Sequence, residues 1–247
     1  MLVSTTDLQN NFGKYLKLAQ YEEIIITKNG KQVAKLTAYT ENDCENRMLV
    51  SEGSPSYRPH GIRVTYADFL KIIEEGENRY EYIDGEILLS ASPLYPHQKA
   101  IKEIFLQFGQ WFQGKKCEPL VSPFDVTLFR LEDEKKVNVV QPDIFVICDS
   151  ENIDTTGKYE GTPTLVVEVL SDATKSRDMI QKLDLYMESG INEYWIVNTA
   201  SKEIYIYVFA NNMIDTIQSF KGVDIAKSAV FPGLNVTLQQ VFNINKD

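Results

Sequence analysis

The stretch Thr164-Leu-Val-Val-Glu-Val-Leu170 sets the tightest limit on what this chain can fold into. It is apolar almost throughout and rich in valine, the pattern of a strand covered on both faces. Such a strand needs a sheet with a layer packed on each side. Glu168 stands in the middle of the run. A lone carboxylate buried there costs several kcal/mol unless it is paired, protonated or bound to a cation. Either Glu168 lies at the solvent end of the strand or salt-bridges a neighbour, or it belongs to a site.

A second segment has the same fault. In Asn138-Val-Val-Gln-Pro-Asp-Ile-Phe-Val-Ile-Cys148, Asp143 follows Pro142 inside an otherwise apolar strand. Proline cannot donate to a ladder, so the chain is at an edge, a strand start or a bulge there, and bulges re-aim side chains. Asp143 either terminates pairing or points into a site. Two acids on successive buried strands can converge at one end of the sheet. Like charges held close repel, and the pair then calls for a cation. Mg²⁺ suits it, taking oxygen ligands, one or two of them carboxylates, and keeping several waters. After Glu168's strand, Ser171-Asp-Ala-Thr-Lys-Ser-Arg-Asp178 leads into a helix expected over 174–189, with Met179, Ile180, Leu183, Tyr186 and Met187 as its apolar stripe. At about 100° per residue Lys182 falls at the edge of that stripe. There it either snorkels to solvent or runs its stem along the core towards the strand end.

The rest of the chain reads as a small α/β unit, a linker and a larger α/β unit. Residues 1–40 hold five lysines against three acids, a net +2, so residues 41–247 carry −12 of a chain whose net charge is −10. Thr5, Thr6 or Asp7 can cap a helix with Leu8, Phe12, Tyr15, Leu16 and Ala19 on one side. Strands at 23–27 and 32–38 flank an Asn29-Gly30 hairpin signal. A unit of this size buries little surface alone, so it should dimerise or dock. Polar residues 41–57 read as the linker. Residues 58–247 read as a helix over 66–75, a hairpin around Asp84-Gly85, a long helix over 95–112, and strands at 119–130, 138–148 and 163–170. The 174–189 helix follows, then strands at 192–198 and 203–209, a weaker β region to about 231 and a closing helix. This is an α/β mixed sheet.

Composition closes other routes. The acidic balance argues against a broad basic nucleic-acid footprint, although a divalent cation can supply positive charge in a narrow site. Two histidines, His60 and His97, exclude a His-rich metal centre. Three scattered cysteines make neither a disulfide framework nor a zinc pattern, which suggests a reducing cytoplasm. No secretory leader and no membrane span is expected.

The ordered set Tyr80-Glu-Tyr-Ile-Asp-Gly-Glu86, Ser92-Pro93 with His97, Gln141-Pro-Asp-Ile-Phe-Val146, Leu165-Val-Val-Glu-Val-Leu-Ser171, Lys182 with Tyr186, and Gly190-Ile-Asn-Glu-Tyr-Trp-Ile-Val197 resembles the Uma-type restriction-endonuclease family of the PD-(D/E)xK nuclease superfamily. The usual acid-x-lysine is altered, with Leu170 in the lysine position and Lys182 on the following helix. The resemblance implies a restriction-endonuclease-like mixed sheet flanked by helices. It also implies a metal-dependent endonuclease hydrolysing nucleic-acid phosphodiesters, with DNA the expected substrate. Asp143 and Glu168 would be ligands of Mg²⁺ or Mn²⁺, Glu81 a further ligand, Lys182 the cationic partner, and His97 a family histidine of unassigned role. Residues 1–40, through Val3-Ser4, Leu8, Phe12, Leu16 and Ile24-Ile-Ile-Thr-Lys-Asn-Gly-Lys-Gln-Val-Ala34, resemble the Phd/YefM antitoxin module. That resemblance implies a homodimer or higher oligomer that binds operator DNA, with Lys14 and Lys17 as candidate contacts, and a toxin as partner. The alternative is a non-catalytic DNA-binding regulator carrying a nuclease-like scaffold.

Overall fold

The structure, a computed structural model, describes residues 2–10, 12–19, 24–28, 30–36, 62–75, 78–89, 93–131, 133–155, 157–171 and 177–243. The chain divides into two compact units, Met1–Ser56 and Tyr57–Asp247. The expected linker, 41–57, lies outside the described residues, as do Asn29 of the first hairpin and Ser92 of the Ser-Pro motif.

The first unit consists of β1 (Leu2–Ser4), α1 (Thr5–Asn10), α2 (Phe12–Leu18), β2 (Ile24–Lys28) and β3 (Lys31–Leu36). β1 runs parallel to β2, and β3 pairs antiparallel on its other side. Ser4 caps α1, its Oγ accepting the Asp7 N–H at 3.0 Å; none of the three expected caps does this. Val3, Tyr15, Ala19 and Ile24 form a small core. Phe12, expected to face that core, is exposed, as is Val33 on β3.

The second unit begins with β4 (Ile62–Arg63), α3 (Tyr66–Glu75), β5 (Tyr80–Ile83), β6 (Glu86–Leu89) and α4 (Tyr95–Phe112). Thr65 caps α3, accepting the Asp68 N–H at 3.2 Å. Asp84 and Gly85 both take positive φ, 50° and 84°, which is the two-residue turn that lets β5 fold back onto β6. Next come β7 (Glu118–Val121), β8 (Val126–Arg130), β9 (Asp133–Val140), β10 (Ile144–Ile147) and β11 (Leu165–Leu170). Residues 177–182 form a π-helical segment that passes into α5 (Leu183–Glu188). The chain continues with β12 (Glu193–Asn198), β13 (Glu203–Ala210), β14 (Met213–Lys221), β15 (Ile225–Lys227), β16 (Asn235–Thr237) and α6 (Leu238–Phe242).

Two sheets carry the unit: β14-β13-β12-β11-β10-β7 and β4-β6-β5-β9-β8. In the six-stranded sheet β11 and β12 are parallel, and every other neighbouring pair is antiparallel. The two long strands expected over 119–130 and 138–148 are each broken, and their halves enter different sheets. Pro123 and Pro142 stand at the breaks, where a missing N–H cannot extend a ladder. Asp143 therefore stands immediately before β10 and not inside a strand. The weak β region after 209 is a nine-residue edge strand, β14, turned by Asn211 and Asn212, both at positive φ.

All six residues of β11 are buried, as its composition requires. On one face Val167 and Val169 join Ile101, Ile104 and Phe108 of α4 and Trp195 of β12. On the other, Val166 and Leu170 join Leu185 and Tyr186 of α5, with Val126 and Leu128 of β8. Glu168 has the parity of Val166 and Leu170, so it faces the α5 layer.

Cys117 and Cys148 form a disulfide, contrary to the expectation. Ile147 pairs with Glu118 across β10 and β7, and the two cysteines are the next step along that ladder, their Cα atoms 4.1 Å apart. A separation of 31 residues in sequence hides this adjacency. With the bridge in place the cysteines no longer argue for a reducing compartment. Among the described residues no helix is long and apolar enough to cross a membrane.

Candidate active site

Glu168 finds its partners one element further on. Lys182 and Tyr186 are four residues apart, so they share a helix face, and both reach the same carboxylate oxygen. Lys182 Nζ lies 2.6 Å from Glu168 Oε1, and the Tyr186 hydroxyl donates to it at 2.7 Å. The Lys182 ammonium also lies 2.9 Å from Glu81 Oε1, a side chain delivered by β5 from the other sheet. Lys182 and Glu81 are each 2 % exposed and Glu168 is 4 % exposed. One cation thus serves two carboxylates in the interior, where charge is most costly to leave unpaired. Burial, reinforced by the Glu168 carboxylate, holds the Tyr186 hydroxyl protonated well above its ordinary range. It remains a hydrogen-bond donor.

The expected helix wheel holds only in part: Tyr186 is buried, and Leu183 and Met187 pack against the core. Lys182 is inside, Leu185 is fully buried, and Ile180, expected in the stripe, is 68 % exposed. The cause is the π-helical segment at 177–182, which fits more residues into each turn than the assumed 100° spacing allows.

Asp143 and His97 form a second pair beside the first. One step beyond the Ile144–Val167 ladder pair, Asp143 Oδ2 accepts the N–H of Val169, the residue after Glu168, at 2.8 Å. His97 Nε2, from the first turn of α4, lies 3.3 Å from the same oxygen. The two side chains are 13 % and 15 % exposed, so this end of the arrangement is the one open to solvent. His97 Nδ1 is buried and has no hydrogen-bond partner among the described residues. The Gln141 N–H, two residues before Asp143, donates to Glu81 Oε1 at 3.0 Å. Backbone amides therefore stitch both acid groups to the same strand ends.

The structure brings the five expected nuclease-site residues into two neighbouring groups. Glu81, Glu168 and Lys182 are in direct contact. Asp143 and His97 pair with each other and are linked to the first group through residues 141 and 169. For Glu168 the compensating cation is Lys182, a place the sequence reading gives to a metal ion shared with Asp143. Among the described residues no three His, Cys, Asp or Glu side chains form a group that could hold a metal ion. Two carboxylates with water completing the shell remain an ordinary Mg²⁺ arrangement, and Asp143, just before β10, and Glu168, on the neighbouring β11, have the oxygen chemistry for it. Tyr186 acts as more than a stripe residue, and its spacing from Lys182 was the available signal. Of the candidate DNA contacts in the first unit, Lys14 is exposed, while the Lys17 side chain lies outside the described residues.

Residues 66–239 match the family model Uma2, described as "Putative restriction endonuclease". Residues 1–45 match that of the antitoxin Phd_YefM, type II toxin-antitoxin system. "Uncharacterized protein slr1290" of Synechocystis sp. (strain ATCC 27184 / PCC 6803 / Kazusa) is 28 % identical over 141 residues, 57 % of this chain and 71 % of that protein. A crystal structure from Anabaena variabilis ATCC 29413, described as a putative nuclease belonging to DUF820, aligns with a TM-score of 0.56 at 19 % identity. The alignment covers 73 % of this chain and 98 % of that one. This likeness is one of fold, and it agrees with the restriction-endonuclease-like class expected from the sequence.

Proposed function

This chain belongs to the Uma2 family, and we propose that its second unit is an endonuclease that hydrolyses nucleic-acid phosphodiesters, DNA in the first instance, with Mg²⁺ or Mn²⁺. The observation that supports this most is the buried Glu81–Lys182–Glu168 group joined to the more open Asp143–His97 pair. Apolar residues of similar volume would serve stability as well or better, so a charged group at this strand end is better explained by chemistry.

Asp143 and Glu168 would hold the divalent cation, whose chemistry when bound is to polarise a phosphoryl oxygen and lower the pKa of a coordinated water. Lys182 and Tyr186 both bond Glu168 Oε1 and so fix the orientation of that carboxylate. Glu81 holds the ammonium from the other side of the contact. A fixed cation beside the strand end can meet the negative charge that grows on a phosphate in the transition state. The Val169 N–H and His97 hold Asp143 in turn. Purified protein should cleave plasmid and single-stranded DNA only with Mg²⁺ or Mn²⁺ present. Asp143→Ala and Glu168→Ala should abolish cleavage, and activity surviving in both would overturn the site assignment.

The antitoxin match over residues 1–45 favours a second reading for the first unit. In it the unit forms a homodimer through its exposed Phe12 and Val33. It binds operator DNA through Lys14 and Lys17, with a toxin as its protein partner, and the second unit is a non-catalytic scaffold. Operator binding lost on deleting residues 1–40, together with no metal binding, would establish that reading in place of the nuclease.

A further inference from the structure

We infer that Arg130 is a positioning residue that sets the contact between Lys182 and Glu81, an assignment that rests on the nuclease reading of that site. Arg130 ends β8 in the five-stranded sheet, with its side chain 11 % exposed. Its guanidinium grips Asp84 with two bonds, Nε to Oδ1 at 3.1 Å and Nη2 to Oδ2 at 2.6 Å. Its Nη1 donates to Asp184 Oδ2 at 2.9 Å and also to Glu188 Oε2. Asp84 is the turn residue three positions beyond Glu81. Asp184 lies two positions beyond Lys182, and Glu188 ends the same helix. One planar group therefore ties together the two elements whose side chains must meet in the interior.

The clamp is reinforced on both sides. The Leu131 N–H donates to the Glu188 carbonyl at 2.9 Å, docking α5 to the strand end a second time. The Asp84 N–H donates to the buried Asn138 Oδ1 at 2.9 Å, which fixes the turn. A guanidinium fork holds a carboxylate in plane and at a set angle, and an ammonium in its place does not. Without it α5 would keep its apolar contacts and the Leu131 backbone bond but lose the side-chain bonds that tie Asp184 and Glu188 to the turn beyond Glu81. A shift of about 1 Å at a reacting group can cost about a hundredfold in rate.

The test uses the full chain with Arg130→Lys and Arg130→Gln. Lys182 reactivity towards an amine-directed acylating reagent is read by peptide mass spectrometry, and the kinetics of metal-dependent DNA cleavage are measured in parallel. The expected result is a kcat lower by about tenfold or more with KM within about twofold of wild type. Lys182, protected in wild type, should label faster in both variants well below their unfolding temperature. If the Arg130 variants do not fold, Asp84→Asn and Asp184→Asn, each removing one partly exposed arm, are read in the same way. Folded variants with wild-type kcat and wild-type Lys182 labelling would overturn the assignment. If wild-type protein cleaves nothing, the nuclease reading fails, and the labelling alone still decides whether Arg130 holds Lys182 in place.

Discussion

The ammonium of Lys182 sits 2.6 Å from the carboxylate of Glu168 in the protein interior, brought there from a helix that follows the strand. Glu81 shares the same cation. Lys182→Met should therefore remove the cation that these two buried carboxylates share. The expected loss is about 3–5 kcal/mol, read by chemical denaturation, together with loss of cleavage. Adding Glu81→Gln to the variant should recover part of the stability. A variant as stable as wild type would show that the carboxylates do not depend on this cation.

Tyr186 gives a pH signature. Burial, and then the Glu168 carboxylate, raise its ionisation above the ordinary 10.0. Below that pH both folded and unfolded forms keep the proton, and stability does not depend on it. Above it the unfolded chain ionises while the folded one does not, so stability falls as pH rises. Tyr186→Phe should remove that share and flatten the alkaline slope by up to about 1.4 kcal/mol per pH unit. The slope should not vanish, because burial raises Tyr82 and Tyr159 in the same direction. Denaturation midpoints for the two proteins that stay parallel above pH 10 would contradict this account.

Glu193 is a buried acid with a structural role. It accepts from the Trp195 indole, from the Ser228 hydroxyl at 3.2 Å and from the Ala229 and Val230 N–H groups at 2.7 and 2.9 Å. These bonds pin the loop before β16 to the six-stranded sheet. Glu193→Ala strands two buried donors, the Trp195 indole and the Ser228 hydroxyl, and two partly buried backbone N–H groups, and should cost about 3 kcal/mol or more, with cleavage per folded molecule unchanged. Loss of activity at full stability would move Glu193 into the chemistry.

The Cys117–Cys148 bridge closes a separation of 31 residues between neighbouring strands. Denatured, unreduced protein should titrate one thiol per chain, and three after reduction. Cys117→Ser with Cys148→Ser should lower stability by about 2–4 kcal/mol. Three thiols before reduction would contradict the bridge.

Much of this was legible in the residues. An acid in a valine-rich strand marked Glu168, and Pro142-Asp143 marked a break beside the candidate site, because both violate what a buried strand tolerates. Periodicity placed α3 and α4 at their observed bounds. Three things could not be read locally. Pro123 and Pro142 announce interruptions, but which sheet each half joins depends on distant partners. Lys182 fell at the edge of the stripe, with an inward reach and a surface position both open, because the wheel assumed α-helical spacing through a π-helical turn. Arg130 carried no signal, since its partners at 84, 184 and 188 are far away in sequence.

The nuclease proposed for the second unit requires Asp143 and Glu168 to share a divalent cation beside Lys182. Crystals of the full chain soaked in Mn²⁺ and measured at the manganese absorption edge test it most directly. The expected result is one anomalous peak bonded to oxygens of both Asp143 and Glu168 at about 2.0–2.2 Å, with the Lys182 ammonium still on Glu168. A peak that excludes Asp143, or none at saturating Mn²⁺, would contradict it.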